Sequence, residues 1–186
     1  IKDPYQSVPF VKLVAELSND GVPLFYEGQY NAPFTEVPNL MDIKGRILPD
    51  MTYTAHAAEV AVDEETGQFE VLRVVACADV GKAINKNSCE GQIEGGAVYN
   101  LSFVTENIAY ENGYTKAHSL AEYLIPTASD APEIETILVE SGGGLGPYGA
   151  KGIGEPADNS IAPAIINAIY DAVGVRIKSL PVTPEK

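Results

Sequence analysis

A glycine-rich run, residues 142–156, limits what this chain can fold into more than any other stretch. It reads Gly-Gly-Gly-Leu-Gly-Pro-Tyr-Gly-Ala-Lys-Gly-Ile-Gly-Glu-Pro, and seven of its fifteen residues are glycine. Glycine loses more conformational entropy on folding than any other residue, so this run indicates a loop whose particular backbone shape is needed. The apolar residues Leu145, Tyr148 and Ile153 and the lack of serine distinguish it from a flexible linker.

The run ends on a single carboxylate, Glu155, which stands between Gly154 and Pro156. Proline directs the residue before it toward extended geometry, so the pattern predicts Glu155 on a loop, outside any helix, just before the next helix begins. A solvated glutamate on a surface connector would fit the same local pattern. The other interpretation is a loop whose backbone lines a cofactor or substrate pocket, with Glu155 as an acid or base.

Two phosphate-binding patterns compete for the same run. Residues 144–149 match Gly-x-Gly-x-x-Gly literally, and residues 137–140 are predicted as a strand before them. Pro147 lies inside the match and no helix is predicted at Gly149, so the context of a dinucleotide fingerprint is missing. A P-loop requires Gly-Lys-Ser/Thr, whereas Lys151 follows alanine and precedes glycine. A nucleotide-binding domain stays an alternative prediction.

The composition of the chain limits the kinds of partner that it can bind. Of 186 residues, 45% are hydrophobic, and 26 acidic residues against 12 basic ones give a net charge of −14. This acidity argues against nucleic acid and against an anionic membrane surface, because both require Lys and Arg. The two cysteines, Cys77 and Cys89, are too few for a disulfide framework and predict a reducing, cytoplasmic setting. With His56 and His118 they show no metal-ligand spacing, so no metal held by protein ligands is predicted.

The periodicity of the remaining chain predicts an α+β fold of mixed sheets with packed helices. Helices are predicted at residues 8–17, from Ser88 as N-cap onward, and at residues 160–173, the last of them largely buried. Strands are predicted at residues 24–30, 53–62, 69–78, 107–110, 122–124 and 133–140. The strands at 53–62 and 69–78 are expected to form a hairpin, and residues 31–50 an irregular surface segment.

The helix predicted from Ser88 contains three glycines, Gly91, Gly95 and Gly96. Each interior glycine costs about 1 kcal/mol relative to alanine, so the small face predicts very close approach to another backbone or to a ligand. Tight helix packing is the simpler use of such a face. Gln92 is expected near the N-terminus of this helix, where free N–H groups and the helix dipole favour anionic groups.

The octapeptide at residues 149–156, Gly-Ala-Lys-Gly-Ile-Gly-Glu-Pro, resembles the C-terminal signature of the molybdenum hydroxylases: xanthine dehydrogenases, aldehyde oxidoreductases and nicotinate dehydrogenases. Further segments resemble the same family in the same order, at residues 58–67, 79–85, 91–96, 123–132 and 180–185. An ordered series of motifs is more specific than any single match. The resemblance implies that residues 1–186 form the C-terminal subdomain of a xanthine dehydrogenase-type molybdopterin-binding domain.

The resemblance also implies residue roles. Glu155 corresponds to the general base of the family, and Gln92 to a residue that contacts the pterin cofactor. Gly152, Ile153 and Gly154 would bring the backbone up to the cofactor. That cofactor is implied to be molybdenum–molybdopterin, in its cytosine dinucleotide form.

The implied activity is hydroxylation of a small molecule, a purine- or nicotinate-like N-heterocycle or an aldehyde, with water as the oxygen source. Burial is expected to raise the pKa of Glu155 toward the working pH, and Lys151 is expected to point outward. Iron–sulfur clusters and FAD are implied on partner chains or domains, because two cysteines cannot hold a cluster.

The family's site also uses a Met-Gly-Gln-Gly-type segment and a Gly-Ser segment, and neither occurs in this sequence. We therefore expect the chain to hold only part of the site. It would act only with the remaining molybdopterin-binding segment or subunit, an iron–sulfur subunit and an FAD subunit. A non-catalytic accessory subunit with the same fold is a further alternative.

Overall fold

The computed structural model of the chain divides into two compact units, Ile1–Asn31 and Ala32–Lys186. The residues that it describes are 7–33, 35–36, 39, 41–42, 44–45, 47–105, 110–123 and 125–186.

The first unit contains one helix, α1 (Phe10–Asn19), in its described part. The carbonyl of Pro9 accepts hydrogen bonds from the amides of Lys12 and Leu13, and no residue of the helix is buried. The helix predicted at residues 8–17 is therefore confirmed with a shift of two residues. The strand predicted at residues 24–30 is wrong, because these residues form no ladder with any strand in the described part of the chain.

The second unit is built on a three-stranded sheet in which Phe69–Asp79 (β2) lies between Thr54–Val62 (β1) and Glu133–Val139 (β5). Strands β1 (Thr54–Val62) and β2 (Phe69–Asp79) are antiparallel, so the predicted hairpin is confirmed. Asp63 forms its turn by accepting the amides of Glu65 and Thr66 on Oδ1. Strand β5 (Glu133–Val139) pairs in parallel with β2, which confirms the strand predicted at residues 133–140.

A second, two-stranded sheet consists of β3 (Tyr110–Glu111) and β4 (Tyr114–Thr115). Asn112 and Gly113 connect them with positive φ angles of 52° and 84°, as a tight hairpin turn requires. The strand predicted at residues 107–110 lies outside the described residues except for its last residue. In the strand predicted at 122–124, the two described residues lie in a turn or bend instead.

Two long helices cover the sheet, α2 (Lys86–Thr105) and α3 (Ile161–Val173). Alternate residues of β2 face them, and these side chains form one hydrophobic core with the inner faces of both helices. The fully buried members of this core with the largest side chains are Val74, Val80, Ile93, Val104, Ile161 and Ile165. In the described part of the chain, no helix is both long enough and apolar enough to cross a membrane.

Both helices differ in detail from the prediction. Helix α2 begins before Ser88, because Asn85 accepts the Ser88 amide on Oδ1 at 3.1 Å and so acts as the N-cap. Helix α3 ends at Val173, and Gly174 terminates it as predicted; its conformation there is left-handed. It is not largely buried, however: its buried residues follow one stripe, and Ala172 is exposed.

Candidate functional site

The glycine-rich loop leaves β5 and folds back on the exit of β2. The Gly142 amide donates to the Gly81 carbonyl at 3.0 Å, and the Lys151 amide donates to the Val80 carbonyl at 2.9 Å. Gly81 has a φ of 66°, and a Cβ on it would overlap the carbonyl oxygen of Gly149. Only glycine therefore fits at this crossing of the two segments.

Asp79, the last residue of β2, binds both ends of this loop. Its Oδ2 accepts the Lys151 ammonium at 2.7 Å and the Ser141 hydroxyl at 3.0 Å, and its Oδ1 accepts the Gly81 amide. These hydrogen bonds, that of Lys151 foremost, hold the pKa of Asp79 well below its usual range, and the pair raises the pKa of Lys151. The prediction that Lys151 points outward is wrong, because Asp79 offers a buried counter-charge.

The segment that precedes β1 supports the loop from another side. Asp50 accepts the Leu145 amide at 2.8 Å, and the Thr52 hydroxyl donates to the Gly152 carbonyl at 2.6 Å. Backbone hydrogen bonds from Leu145 and Met51 lower the pKa of Asp50, so the Asp50 carboxylate is ionised when it binds the loop. The loop is thus anchored along its length by fixed polar contacts.

The glycine loop does not have the shape of a dinucleotide fingerprint. The Gly146 amide donates to the Ala150 carbonyl, so the loop closes on itself there. A single 3-10 turn, Pro147–Gly149, stands where the fingerprint requires an α-helix to begin, and Ala150 after it is extended. The third glycine therefore directs no helix N-terminus toward a phosphate.

Glu155 begins a second 3-10 turn, Glu155–Ala157, which packs against α2. Pro156 occupies the second position, where its missing N–H loses no helical hydrogen bond. The prediction of a loop outside any helix is thus corrected to one short turn ahead of α3. Ala157 is completely buried, and a Cβ on Gly96 would lie 3.2 Å from it.

Gln92 and Glu155 line the same open cleft, which has a volume of about 330 Å³. One wall is the glycine face of α2 and the other is the turn at Glu155; the lining residues are Gly91, Gln92, Gly95, Gly96, Tyr99, Gly154, Glu155 and Asp158. Of the five predicted site residues, three therefore meet here. Gly152 and Ile153 precede the cleft without lining it, and Ile153 packs against the core.

Two expectations about these side chains are wrong. Glu155 is exposed in this chain, so the expected burial of its carboxylate is absent. Gln92 lies in the second turn of α2, because the helix begins at Lys86. Its neighbouring backbone amides are therefore already used in helical hydrogen bonds, and only its side-chain amide is free to bind a ligand.

The residues of the cleft fit a bound organic group better than a metal ion held by side chains. A Cβ on Gly91, Gly95 or Gly154 would meet no atom of the described residues within 4 Å, so these glycines open onto the cleft. Such bare backbone permits close approach of a ligand. Within the described residues, no group of three or more His, Cys, Asp or Glu side chains could hold a metal ion.

A buried polar contact between α2 and α3 is not predicted from the sequence. Asn100, on α2, accepts the amide of Ala162, in the first turn of α3, at 2.7 Å. It is 8% exposed. The one feature of the sequence that could have indicated this contact is the asparagine itself, which interrupts an apolar helix face. The core residues of that face beside it are Ala97, Leu101 and Val104.

A second missed contact lies beside it. Ser160, the N-cap residue of α3, forms no capping hydrogen bond, because its hydroxyl is bonded to Nδ1 of His56 on β1. Burial lowers the pKa of His56, with a smaller opposing effect from Asp158. The other ring nitrogen of His56, Nε2, is buried without a hydrogen-bond partner among the described residues.

Comparison with known proteins identifies the family. The chain matches the molybdopterin cofactor-binding domain over residues 2–132. It is 34% identical to a probable xanthine dehydrogenase subunit of Bacillus subtilis over 172 residues, which are 92% of this chain and 22% of that protein. The chain therefore belongs to the family of molybdopterin cofactor-binding domains found in xanthine dehydrogenase-type proteins, as the resemblance predicted.

Solved structures agree with the predicted α+β fold. The aldehyde oxidoreductase of Desulfovibrio desulfuricans superposes with a TM-score of 0.73 and 35% identity, over 92% of this chain and 18% of that one. Quinoline 2-oxidoreductase of Pseudomonas putida 86 gives a TM-score of 0.64 and 36% identity, over 70% of this chain and 17% of that one. The chain thus spans about a fifth of the length of these relatives.

The domain match covers the two sides of the cleft unequally. It includes Gln92 and the glycine face of α2, but it ends before Glu155. The relative from Bacillus subtilis and the aldehyde oxidoreductase match 92% of the chain. The domain match therefore includes only the α2 side of the cleft.

Proposed function

We propose that this chain forms one wall of the active site of a molybdopterin-dependent hydroxylase that acts on an N-heterocycle or an aldehyde. One observation carries the proposal: Gln92 and Glu155, far apart in the sequence, meet at one cleft beside glycines that open onto it. The names of the relatives, xanthine dehydrogenase, aldehyde oxidoreductase and quinoline 2-oxidoreductase, indicate the substrate classes.

In this proposal, residues 1–186 are the C-terminal subdomain of the molybdopterin-binding domain. The rest of the cofactor site lies on a further segment or subunit, since the chain spans about a fifth of its relatives. Iron–sulfur clusters and FAD on partner chains or domains carry the electrons away. The two thiols, Cys77 and Cys89, are free, which fits the reducing environment of the cytoplasm.

When bound, the molybdenum cofactor, in its cytosine dinucleotide form, supplies the two-electron oxidation of the substrate carbon. Overall, R–H and water give R–OH, two protons and two electrons. The Glu155 carboxylate accepts a proton from the water-derived oxygen as that oxygen forms its bond to carbon. Gln92 binds the pterin through its side-chain amide, and Gly91 and Gly95 allow the ring system to approach the helix.

The charges around the turn are compatible with a general base. Lys151 is neutralised by Asp79, so its charge is not available to stabilise an ionised Glu155. In the proposed complex, the substrate and the partner segment cover the cleft and exclude bulk water from the carboxylate.

The test is Glu155→Gln in the complete complex, purified from its native host. Glutamine keeps the shape of the side chain but cannot accept the proton. We expect turnover to fall by about 10²–10⁴-fold, the usual contribution of a general base, with molybdenum and pterin contents unchanged. Steady-state kinetics and metal analysis measure both quantities.

Glu94→Gln is the matched control, because Glu94 is exposed on α2 and does not line the cleft. It is expected to leave turnover and molybdenum content unchanged. Full turnover in Glu155→Gln would refute the base assignment. Loss of molybdenum from that variant would make Glu155 a residue that retains the cofactor, and a complex without molybdenum would overturn the proposed function as a whole.

A further inference from the structure

The segment from the Glu155 turn to the start of α3 contacts α2 at two points one helical turn apart. At Gly96, a Cβ would lie 3.2 Å from Ala157 and 3.3 Å from the amide nitrogen of Asp158. At Asn100, the buried side chain accepts the Ala162 amide. We propose that Asn100 is a positioning residue for Glu155 and that Gly96 sets the distance between α2 and the turn, an inference that rests on the proposed function of Glu155.

Asn100 provides the side-chain acceptor for an amide in the first turn of α3, a role that an N-cap residue of the same helix usually fills. The first amides of a helix have no partner within it and need an acceptor. Ser160 is engaged with His56, so the acceptor for Ala162 comes from a different helix. Because this hydrogen bond is buried, it is strong and directional, and it ties the start of α3 to one position along α2.

The backbone between Ala162 and Glu155 transmits this constraint. The amide of Ala157 donates to Gly154, that of Asp158 to Glu155, and that of Ile161 to Asp158. These hydrogen bonds form successive short turns with little freedom between them. Fixing Ala162 therefore fixes the backbone of Glu155 with respect to α2.

Three residues on one face of α2 line the cleft, contact the Glu155 turn and bind the start of α3. Gln92, Gly96 and Asn100 follow one another at intervals of four, so these three positions lie in one row along the helix. Gln92 lines the cleft, Gly96 contacts the turn, and Asn100 holds the start of α3. The helix thus sets the position of the base relative to the proposed pterin contact.

The experiment compares Asn100→Leu with Asn100→Asp in the complete complex. Leucine fills the space but removes the acceptor, whereas aspartate keeps an acceptor oxygen for Ala162. In Asn100→Leu we expect faster amide hydrogen exchange in peptides that cover residues 155–165, and a kcat lower by about 10- to 100-fold. The pH profile of kcat is expected to change, while KM stays within about twofold and molybdenum content stays constant. Asn100→Asp is expected to restore slow exchange and most of kcat.

Exchange in peptides of the β1–β2 hairpin reports whether the whole chain is loosened. Faster exchange at residues 155–165 with unchanged kcat in Asn100→Leu would overturn the proposal, since Asn100 would then be only a cap for α3. If Asn100→Leu does not assemble, Gly96→Ala is the second test, because its added Cβ pushes the turn away from α2. A lower kcat at constant molybdenum content would then support the proposal. An unchanged kcat would refute it. Full turnover in Glu155→Gln would refute the base assignment separately, because the exchange response does not depend on that role.

Discussion

The Nζ atom of Lys151 lies 2.7 Å from Oδ2 of Asp79, and their side chains are only 7% and 14% exposed. This pair joins the end of β2 to the segment that leads to Glu155. The same Asp79 also binds Ser141 at the opposite end of the glycine loop. The Asp79 carboxylate therefore joins the two ends of the glycine loop. The position of the cleft wall at Glu155 depends on this contact.

We predict that Asp79→Asn destabilises the chain by leaving the Lys151 ammonium buried without its counter-charge. The midpoint of thermal unfolding should fall clearly, and exchange should increase throughout the glycine loop. Asp42→Asn is the matched control, because the Asp42–Lys44 pair has side chains that are 40% and 82% exposed. Surface pairs of that kind contribute little, so an equal effect of both substitutions would contradict the prediction.

Two adjacent glycines of the loop should respond differently to alanine. A Cβ on Gly144 would overlap the carbonyl oxygen of Gly149 and lie 2.6 Å from that of Ala150. Among the described residues, the nearest atom to a Cβ on Gly143 is the Ser141 hydroxyl oxygen, at 3.8 Å. Gly144→Ala should therefore lower the free energy of unfolding by about 1–3 kcal/mol, as overpacking does. Gly143→Ala should be tolerated. Denaturant titration of both variants tests this, and equal stabilities would show that the loop relaxes freely.

Gly95→Ala should change stability and cofactor content in opposite directions. Within the part of the chain that the structure describes, a Cβ on Gly95 meets nothing within 4 Å, so alanine should stabilise α2 by about 1 kcal/mol. The same methyl group projects into the cleft, so the complex should retain less molybdenum and pterin. Asn87→Ala is the control, since Asn87 is exposed on α2 outside the cleft and its replacement should leave cofactor content unchanged. Full cofactor content in Gly95→Ala would place the pterin elsewhere.

Stability should depend on the protonation of His56. Burial lowers the pKa of His56 in the folded protein, against a smaller opposing effect of Asp158. The unfolded chain therefore takes up a proton at higher pH than the folded one. The contribution of neutral His56 to the free energy of unfolding is fully present above its pKa in the unfolded chain, about 6.5. It is lost as the pH falls through the lower pKa that His56 has in the folded protein.

The measurement is the free energy of unfolding of wild type and His56→Asn between about pH 5 and 8, around the usual pKa of histidine. Asparagine retains a hydrogen-bonding group for Ser160 but does not titrate. We expect the wild type to lose more stability below about pH 6.5, by an amount that corresponds to at most one proton. Parallel pH dependences would show that His56 titrates alike in both states.

Local sequence patterns were sufficient for the elements whose stabilising contacts are local. The β1–β2 hairpin, with Asp63 in its turn, and the end of α3 at Gly174 were predictable because turn and C-cap residues act on their immediate neighbours. The strand predicted at residues 24–30 failed because a strand also needs a partner. Ser88 was mistaken for a cap because Asn85, three residues earlier, supplies the same chemistry.

The sequence by itself determined the family of the chain, its α+β class and the motif residues Gln92 and Glu155, because motif spacing and hydrophobic periodicity are written along the chain. Only the tertiary structure decided that these two residues share a cleft, that Lys151 turns inward to Asp79, and that Asn100 holds the start of α3. The physical reason is that such contacts join residues distant in sequence. Their partners are selected by how the sheet and helices pack, which no local pattern records.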